Sequence, residues 1–487
     1  MVDVTIVGAG PVGLWAAGEL ARRDLDVVVL EKLDRPTPHS KALTVHPRTL
    51  EVFAQRGIAA EAINAGLQIG SGHFANLDKR MDFGVLDTPY PFTLLYPQED
   101  TEILLERTAR ALGADIRREH EVLGVDDKGD IVVTQVRSGE SSYLVESEYL
   151  IGADGARSIV RAAAGIKFEG TRNHHWGFLG DVYLDSPPDV PVFTKSDEFG
   201  SIMMVPLPKE GLYRFVGSSP ILAENNELTF DQFRAAVTDV AGTDFGMRDP
   251  VWLSRYGDAA KIASSYRAGR IFLAGDAAHI HLPAGGVGMN VGIQDAANLA
   301  WRIADVIAGL APDTYLDRYD EERRPVGQAL LLATRAQSAM RSYTSDGLAL
   351  REFVAELIAT VPEFSKALAE RLSGFAVRYD VPGHPLAGTR APDLPLVGST
   401  SLFGALHAAR PVAVVAPGFV DAAATAELRT RGLAVHEMTG QERAAWVDVT
   451  ATLIRPDGYV AWATEADPPQ ATGGLTGAAA LLRPGAL

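Results

Sequence analysis

Three stretches of the chain carry residue types that hold phosphate, hydroxyl or ring-nitrogen groups, and each stands where a strand gives way to a helix. The first is Gly8-Ala9-Gly10-Pro11-Val12-Gly13, a G-x-G-x-x-G run directly after the apolar Val4-Thr5-Ile6-Val7. In such a run the first glycine permits a tight turn. The second lets backbone approach a pyrophosphate, and the third lets helix and strand pack closely. Amides at the start of the following helix, Leu14 to Arg23, then face the phosphates. Leu25 to Leu30 is a second apolar strand ending on Glu31, roughly twenty residues past the motif, where a carboxylate accepts hydrogen bonds from a ribose. Strand, turn, helix, strand and acid together specify a dinucleotide site; the glycines alone are also compatible with a structural turn.

The second stretch runs from Tyr149 to Ser158, a strand ending in Asp154 and Gly155 ahead of a short helix, Ile159 to Ala164. Asp154 is either a ligand at the strand end or the cap of that helix. The third follows the buried strand Arg270 to Ala274. It contains Gly275-Asp276-Ala277-Ala278-His279 and then His281 to Asn290, with Pro283, Gly285, Gly286 and Gly288 ahead of a long helix, Ile293 to Ile307. Glycines before a helix form a cradle for electron-rich atoms. His279 and His281 have the spacing of a pair, but no third ligand accompanies them and no metal is expected. Arg48 lies near the start of a helix from Thr49 to Gln55, an unusual place for a cation; a bound phosphate or solvation alone would compensate.

The elements that must position these residues read as a doubly wound α/β unit interrupted by a sheet. A polar loop, Lys32 to Ser40, follows Glu31, and Gln98 precedes a helix from Thr101 to Leu112. Ala114 to Arg118 and Glu121 to Val125 read as strands, and Ile131 to Val136 with Tyr143 to Glu146 as a hairpin. From Trp176 to Trp252 short strands alternate with Pro, Gly and Asp turns, which predicts an inserted antiparallel sheet with one helix, Phe230 to Val240. Pro325 begins or kinks a helix running to Met340, and two more helices follow at Leu348 to Leu357 and Phe364 to Leu372. The segment Gly383 to Pro392 is a hinge-like turn before a further α/β part, in which Val412 to Val415, Leu433 to Val435 and Trp446 to Leu453 are strands and Pro456-Asp457-Gly458 turns a hairpin. The expected division is a discontinuous nucleotide-binding domain over 1–175 and 268–335, a substrate-binding sheet domain over 176–267 joined by residues 70–98, a helical segment over 336–385, and a C-terminal domain over 386–487.

Composition narrows the function further. The net charge of −17 and the lack of any basic stripe argue against a nucleic-acid partner. Without a cysteine the chain has no disulfide, thiol nucleophile, dithiol exchange or cysteine-ligated cluster. No apolar run is long enough to span a membrane, and the N-terminus enters a strand too soon for a signal peptide, so a cytoplasmic enzyme is expected. The aromatic run Tyr90 to Tyr96 suits either a pocket wall or a core strand. With Ile202, Met203, Met204, Val205 and Leu207 it offers broad apolar area for a flat ligand, and neither segment brings a cluster of Arg or Lys for a small carboxylate. No catalytic base is identifiable; His73, Tyr96 and Arg214 lie in segments that could face a substrate.

Taken together and in this order, the three motifs resemble the class A flavoprotein monooxygenases, the single-component aromatic hydroxylases related to para-hydroxybenzoate hydroxylase and phenol hydroxylase. The likeness covers the whole chain and is strongest to actinomycete aromatic polyketide hydroxylases of the angucycline type. The C-terminal part fits that group, with Gly388, Arg390 and Pro392 at its start and Arg455 to Trp462 at its strand turn. One departure is Val287, where such hydroxylases often carry Gln.

The resemblance implies a Rossmann-like FAD-binding domain, an inserted sheet domain and a thioredoxin-like C-terminal domain without cysteines. It implies that Gly8, Gly10, Pro11 and Gly13 hold the FAD pyrophosphate and Glu31 the adenosine ribose. Arg48 and Gln98 lie beside the phosphates and ribityl chain, Asp154 approaches FAD and the nicotinamide route, and Lys32, Lys41 and Arg157 are further cofactor-binding candidates. Asp276 binds the ribityl hydroxyls, while Pro283 and the glycines Gly286 and Gly288 line the isoalloxazine; Gly275, Met289 and Asn290 are further cofactor-binding candidates, and Pro283 is also a catalytic candidate. It further implies tight, non-covalent FAD, transient NADPH, and one oxygen atom from O2 passed through a flavin C4a-hydroperoxide to a phenolic polycycle. A Baeyer–Villiger oxidation and an antibiotic-inactivating monooxygenase are the alternatives. The alternating apolar strands of the C-terminal part imply a packing or assembly role, the latter as a homo-oligomer.

Overall fold

The stretch from Val2 to Glu31 already fixes the frame. In the computed structural model, the strand Val2–Val7 feeds the helix Pro11–Ala21, and the strand Val27–Glu31 returns beside it in parallel. The structure describes residues 1–39, 41–222, 227–398, 400–419, 422–430, 433–440 and 446–482. Around Val2–Val7 the sheet order is Arg267–Ala268, Ile271–Leu273, Ser141–Gly152, Val2–Val7, Val27–Glu31, Asp115–Arg118, with Glu121–Asp127 and Val132–Ser138 attached at one side. The strands that carry the three motifs, ending at Val7, Gly152 and Leu273, are adjacent and parallel, so all three strand ends open at one edge. Ligands of open α/β sheets bind at such an edge.

Ser141–Gly152 does two jobs that the sequence divides. It pairs antiparallel with Val132–Ser138 over its first half and parallel with Val2–Val7 beyond it, so the predicted hairpin arm and the predicted motif strand are one continuous strand. The helix Gly288–Ile307 packs across the Pro11–Ala21 helix, and Asp317–Ala339 runs unbroken through Pro325. A five-stranded antiparallel sheet, ordered Phe193–Asp197, Gly200–Pro206, Leu212–Ser218, Trp176–Leu184, Met247–Gly257, is inserted between the second and third motifs and backed by the helix Phe230–Ala241. Its far face is an apolar cluster of Phe178, Val182, Ile202, Met204, Phe215 and Phe233.

The C-terminal part has a four-stranded sheet ordered Ala434–Glu437, Val412–Val415, Ala451–Ile454, Val460–Thr464. The predicted hairpin turns at Pro456-Asp457-Gly458, where the Gly458 amide donates to the Arg455 carbonyl at 2.9 Å. The predicted strand Trp446 to Leu453 is strand only from Ala451, as part of Ala451–Ile454. No helix of the described residues is long and apolar enough to cross a membrane.

This part is tied to the rest by buried charges rather than by a thin linker. Arg455 makes a two-pronged ion pair with Glu322 at 2.9 Å on both oxygens, and Glu322 also meets Arg302 at 2.8 Å. Those cations hold the Glu322 carboxyl at about 2 despite its burial. Arg56 donates to the Leu406 and Pro456 carbonyls, and Arg23 to the Ala409 carbonyl. Trp301 and Tyr315 share one apolar cluster with Ala413, Leu428, Leu453 and Leu475. A buried ion left without its partner costs about 3–5 kcal/mol. A chain ending near Pro385 is therefore expected to lose its fold, seen as loss of the cooperative melting transition. A truncated monomer that melts like the full chain and still binds flavin would contradict the packing role.

Candidate active site

A cavity of about 510 Å³ lies under the edge where the three motif strands end. At one end it is lined by Gly10, Pro11, Lys41, Gln98, Gly155, Asp276 and the segment Leu282 to Gly286; at the other by Leu179, Met203, Val205, Arg214, Val216 and Ser218 of the inserted sheet. The backbone explains the first end. An added Cβ at Gly13 would stand 2.0 Å from the Gly8 carbonyl oxygen, so that glycine is required by helix–strand contact. A Cβ at Gly10 meets no protein atom within 4 Å. Bare backbone facing open space at the start of a helix is what a pyrophosphate needs. A dinucleotide therefore fits here: Gly10 and Pro11 against its phosphates, Lys41 as a nearby cation, and Asp276, exposed toward the cavity, for its hydroxyls.

The glycine-rich wall opposite is clamped to the short strand Thr44–Val45. Asn290 is the clamp: its Oδ1 accepts the His46 amide at 2.8 Å, and its Nδ2 donates to the carbonyls of Thr44 and Gly286 at 2.9 and 3.0 Å. His46 Nε2 donates to the Gly285 carbonyl at 2.7 Å, which leaves Nδ1 to accept from the Thr93 hydroxyl. Gly286 has φ +64°, and a Cβ there would lie 2.0 Å from Thr44 Oγ1.

A second clamp was not visible in the sequence. Asp295, fully buried in the helix Gly288–Ile307, accepts the Gly275 amide at 3.2 Å and the His279 Nε2 proton at 2.8 Å on one oxygen. Its other oxygen takes Arg323 Nε at 2.7 Å, and Arg323 Nη1 reaches the Tyr379 hydroxyl at 3.1 Å. Tyr379 in turn packs on Tyr459 of the C-terminal part, with ring centroids 4.4 Å apart. A chain of contacts thus runs from that part to the loop carrying Asp276. The available signal was an acid at position 295 beside Ala296 and Ala297, on the apolar side of a predicted helix.

Several sequence expectations are corrected. Arg48 does not face the cavity: it is fully buried, with Nη1 donating to Glu51 at 2.8 Å, Nη2 to the Asp457 carbonyl at 2.7 Å, and its plane over Tyr459. A carboxylate one turn along the helix, rather than phosphate or water, offsets its charge at the helix start. Tyr96 faces away from the cavity and donates to the Asp100 carbonyl at 3.2 Å; burial pushes its hydroxyl up to about 12. The strand Thr93–Leu95 puts Thr93 and Leu95 on the cavity side, so Leu94 and Tyr96, with Tyr90 and Phe92, belong to the main core. The same alternation leaves Met203 and Val205 on the cavity and sends Ile202 and Met204 to the opposite core, while Leu207 packs beside Val205.

Asp154 caps its helix, accepting the Ile159 and Val160 amides at 2.7 and 3.2 Å, and does not line the cavity. Arg157 and Lys32 are exposed, and Glu31 accepts the Ala9 and Leu33 amides at 2.8 and 2.9 Å. Gln98 is the first helical residue and lines the cavity; its Oε1 accepts the Ala42 amide and its Nε2 donates to Glu102. Pro283, Gly286, Gly288, Met289, His73 and Arg214 all line the cavity, whereas Gly8, Gly13, Gly275 and Asn290 stand behind it as support.

The histidines of the cavity are neutral. Burial lowers His46 to about 4; burial, with Arg80 and His46 adding to it, lowers His73 to about 3. The unfolded chain takes up these protons below its ordinary value near 6.5, and the folded chain does not. Their contribution is full above pH 6.5 and is lost as the pH falls toward 4 and 3. Glu102, raised to about 7 chiefly by burial, has the opposite sign: it favours the fold as the pH drops from 7 to 4.5. With two imidazoles against one carboxyl, the melting midpoint is expected to fall on acidification, and less steeply in His73→Asn. Parallel profiles for the two proteins would contradict this.

Comparison with known proteins agrees with this geometry. Residues 1–334 match the family described as FAD binding domain, and residues 384–482 match the aromatic-ring hydroxylase C-terminal family. An uncharacterized aromatic compound monooxygenase of Bacillus subtilis is 42% identical, the match covering 96% of this chain and 95% of the relative. The solved structure of the anhydrotetracycline hydroxylase OxyS from Streptomyces rimosus superposes with a TM-score of 0.89 at 40% identity, covering 98% of each chain. CabE, an aromatic hydroxylase from angucycline biosynthesis, gives 0.85 at 38% identity, covering 95% of this chain and 96% of its own. The chain belongs to the class A flavoprotein monooxygenases, the FAD-dependent aromatic-ring hydroxylases, and among them is similar to the actinomycete polyketide hydroxylases.

Proposed function

We propose that this enzyme adds one oxygen atom from O2 to a planar, fused-ring aromatic polyketide carrying a phenol, at the expense of NADPH. The observation that carries this reading is the shape of the cavity: glycine backbone and Pro283 on one side, and the broad apolar strip of Leu179, Met203, Val205 and Val216 on the other. A flat ring system fits between two such walls. Bound FAD supplies the oxygen activation, and the protein supplies placement and the exclusion of water. Gly10, Pro11, Lys41 and Gln98 hold its phosphate end, and Asp276 its hydroxyls. The segment Pro283 to Met289 flanks the ring, with Glu31 kept for the ribose. Arg157 and Lys32, exposed near the same edge, are available to the transient nicotinamide cofactor.

His73 lines the cavity with His46 and His281, and its buried Nδ1 has no hydrogen-bond partner among the described residues, whereas Nδ1 of His46 meets the Thr93 hydroxyl and that of His281 the Leu282 carbonyl. Kept neutral by burial, His73 offers its Nδ1 as a hydrogen-bond acceptor that orients a hydroxyl of the substrate. We assign the C-terminal part a thioredoxin-like fold that does no redox chemistry, since the chain has no cysteine. The domain division stated from the sequence is kept with one change of emphasis: the segment 336–385 supplies cavity residues such as Arg341 and Leu372.

The purified protein is expected to be yellow, and acid to release all of its flavin; flavin kept on the denatured chain would contradict non-covalent binding. The substrate reading is tested with a panel of tetracyclic phenols, single-ring phenols and benzoates, scoring NADPH oxidation, peroxide release and product mass together. Stimulated oxidation with a gain of one oxygen on a tetracycle is expected. Tight coupling on single-ring phenols alone would overturn the ring class, and a ring-expanded lactone would replace hydroxylation by Baeyer–Villiger oxidation.

A further inference from the structure

The chain carries a net charge of −17, yet its cavity does not share that sign. Among the described residues that line it, the charged ones are Lys41, Arg80, Arg214 and Arg341 against the single carboxylate of Asp276. Lys41 and Asp276 stand at the glycine-motif end. The three arginines belong to the rest of the cavity, and they come from three distant segments.

Each arginine is anchored through part of its guanidinium and leaves the remainder without a hydrogen-bond partner, although Arg341 lies over the Tyr256 ring and Arg214 over the Trp252 ring, 5.6 and 5.5 Å from their centroids. Arg80 Nε donates to Ser71 Oγ at 2.8 Å and Nη2 to the Ser71 carbonyl at 3.3 Å, while Nη1 is buried and unpaired. Arg341 Nε donates to Ser218 Oγ at 3.2 Å, and both of its terminal nitrogens are buried and unpaired. Arg214 is 3% exposed; its Nε and Nη2 grip both oxygens of Asp181 at 2.7 Å, and Nη1 is unpaired. Neither Arg80 nor Arg341 has a carboxylate within ion-pair distance among the described residues, so Asp181 neutralises only one of the three charges. Burial pulls the Arg80 guanidinium below its ordinary value, as expected for a cation taken out of water without an anion.

A buried donor or charge left unpaired is costly, and functional sites are where such costs persist. The layout also has a length. Arg214, Val216 and Ser218 lie on one face of the strand Leu212–Ser218, with Arg341 bonded to Ser218. The two guanidiniums therefore flank an apolar strip about 13 Å long, from four residues of extended strand.

From this juxtaposition we propose that the substrate is taken as an anion: a polycyclic aromatic bearing an ionised acidic oxygen, of phenolate, enolate or carboxylate type, held by Arg341 and Arg80, with Arg214 donating to an oxygen at the other end of the ring system. The proposal rests on the hydroxylase reading for the ring class and on the cavity charges for the anion. It also explains how a cavity walled by apolar strands takes hold of an oxygen-rich ligand in one orientation.

The test uses the FAD-loaded full chain and two matched probe pairs: anthraquinone-2-carboxylate with its methyl ester, and 2-hydroxyanthraquinone with 2-methoxyanthraquinone. Binding is read from the change in flavin absorption and tryptophan fluorescence, above the pKa of the phenol. The acidic member of each pair is expected to bind at least tenfold tighter. Arg341→Met and Arg80→Met are each expected to weaken the carboxylate about tenfold and the ester less than twofold, with flavin content and melting midpoint as controls. Should a variant fail to fold, the wild-type pairs still decide. Equal or tighter binding of the neutral members, or no binding of either acid, overturns the proposal. Oxygenation of neutral polycycles with equal affinity removes the anion and keeps the hydroxylase. Tight binding of acids with no oxygenation of any polycyclic phenol does the reverse.

Discussion

Gly10→Ala is expected to lower FAD affinity at least about tenfold, roughly 1.4 kcal/mol, while leaving the apoprotein as stable as the parent. The two halves of that expectation come from one geometric fact. A Cβ at Gly10 meets no protein atom within 4 Å, so nothing in the fold resists the methyl group. The same open space is where a pyrophosphate must come against bare backbone. Gly13→Ala is the contrasting variant. There the Cβ would stand 2.0 Å from the Gly8 carbonyl oxygen, a backbone atom that cannot swing aside, and the apoprotein itself should be destabilised. Titrating each apoprotein with FAD and melting it without FAD separates the two cases. Unchanged FAD affinity in Gly10→Ala would place the phosphates elsewhere.

Asp295→Asn should be the more damaging change, costing about 3–5 kcal/mol of stability. Asp295 holds three donors: the Gly275 amide, His279 Nε2 and Arg323 Nε. The amide side chain offers one acceptor oxygen and sets its own N–H groups against donors, and it leaves Arg323 a buried charge with no carboxylate. The loss should also reach the flavin, because the Gly275 amide fixes the turn that carries Asp276. Lower flavin content is therefore expected along with a lower melting midpoint. Tyr379→Phe removes only the hydroxyl that accepts from Arg323 Nη1 and should cost about 1–3 kcal/mol with flavin content nearly kept. Equal losses in the two variants, or normal flavin content in a destabilised Asp295→Asn, would break the link between this buried chain and the cofactor loop.

What could be read from the chain alone follows the range of the interactions involved. The glycine motif, its flanking strands and the third motif were legible because each is a local pattern with a local cause. The face of the Thr93–Leu95 strand was not, because Tyr90 to Tyr96 is apolar on both sides and only the partner strand decides which side meets the cavity. Arg48 was misplaced although its partner lies three residues on. A helix-start arginine is as ready for a phosphate as for Glu51, and the deciding contact comes from Asp457, far along the chain. Arg80 and Arg341 carried no local signal at all. Both are ordinary charged residues in polar sequence, and only the fold brings them to one cavity.

The central claim is that oxygen from O2 ends up on an aromatic ring. The direct measurement is mass spectrometry of the product formed by the FAD-loaded enzyme from a tetracyclic phenol, NADPH and oxygen gas enriched in oxygen-18, with a parallel reaction in oxygen-18 water. The account predicts one labelled oxygen atom from the gas and none from the water, on a product that keeps its ring skeleton. A product labelled from water, or an unlabelled rearrangement product formed without oxygen uptake, would contradict it.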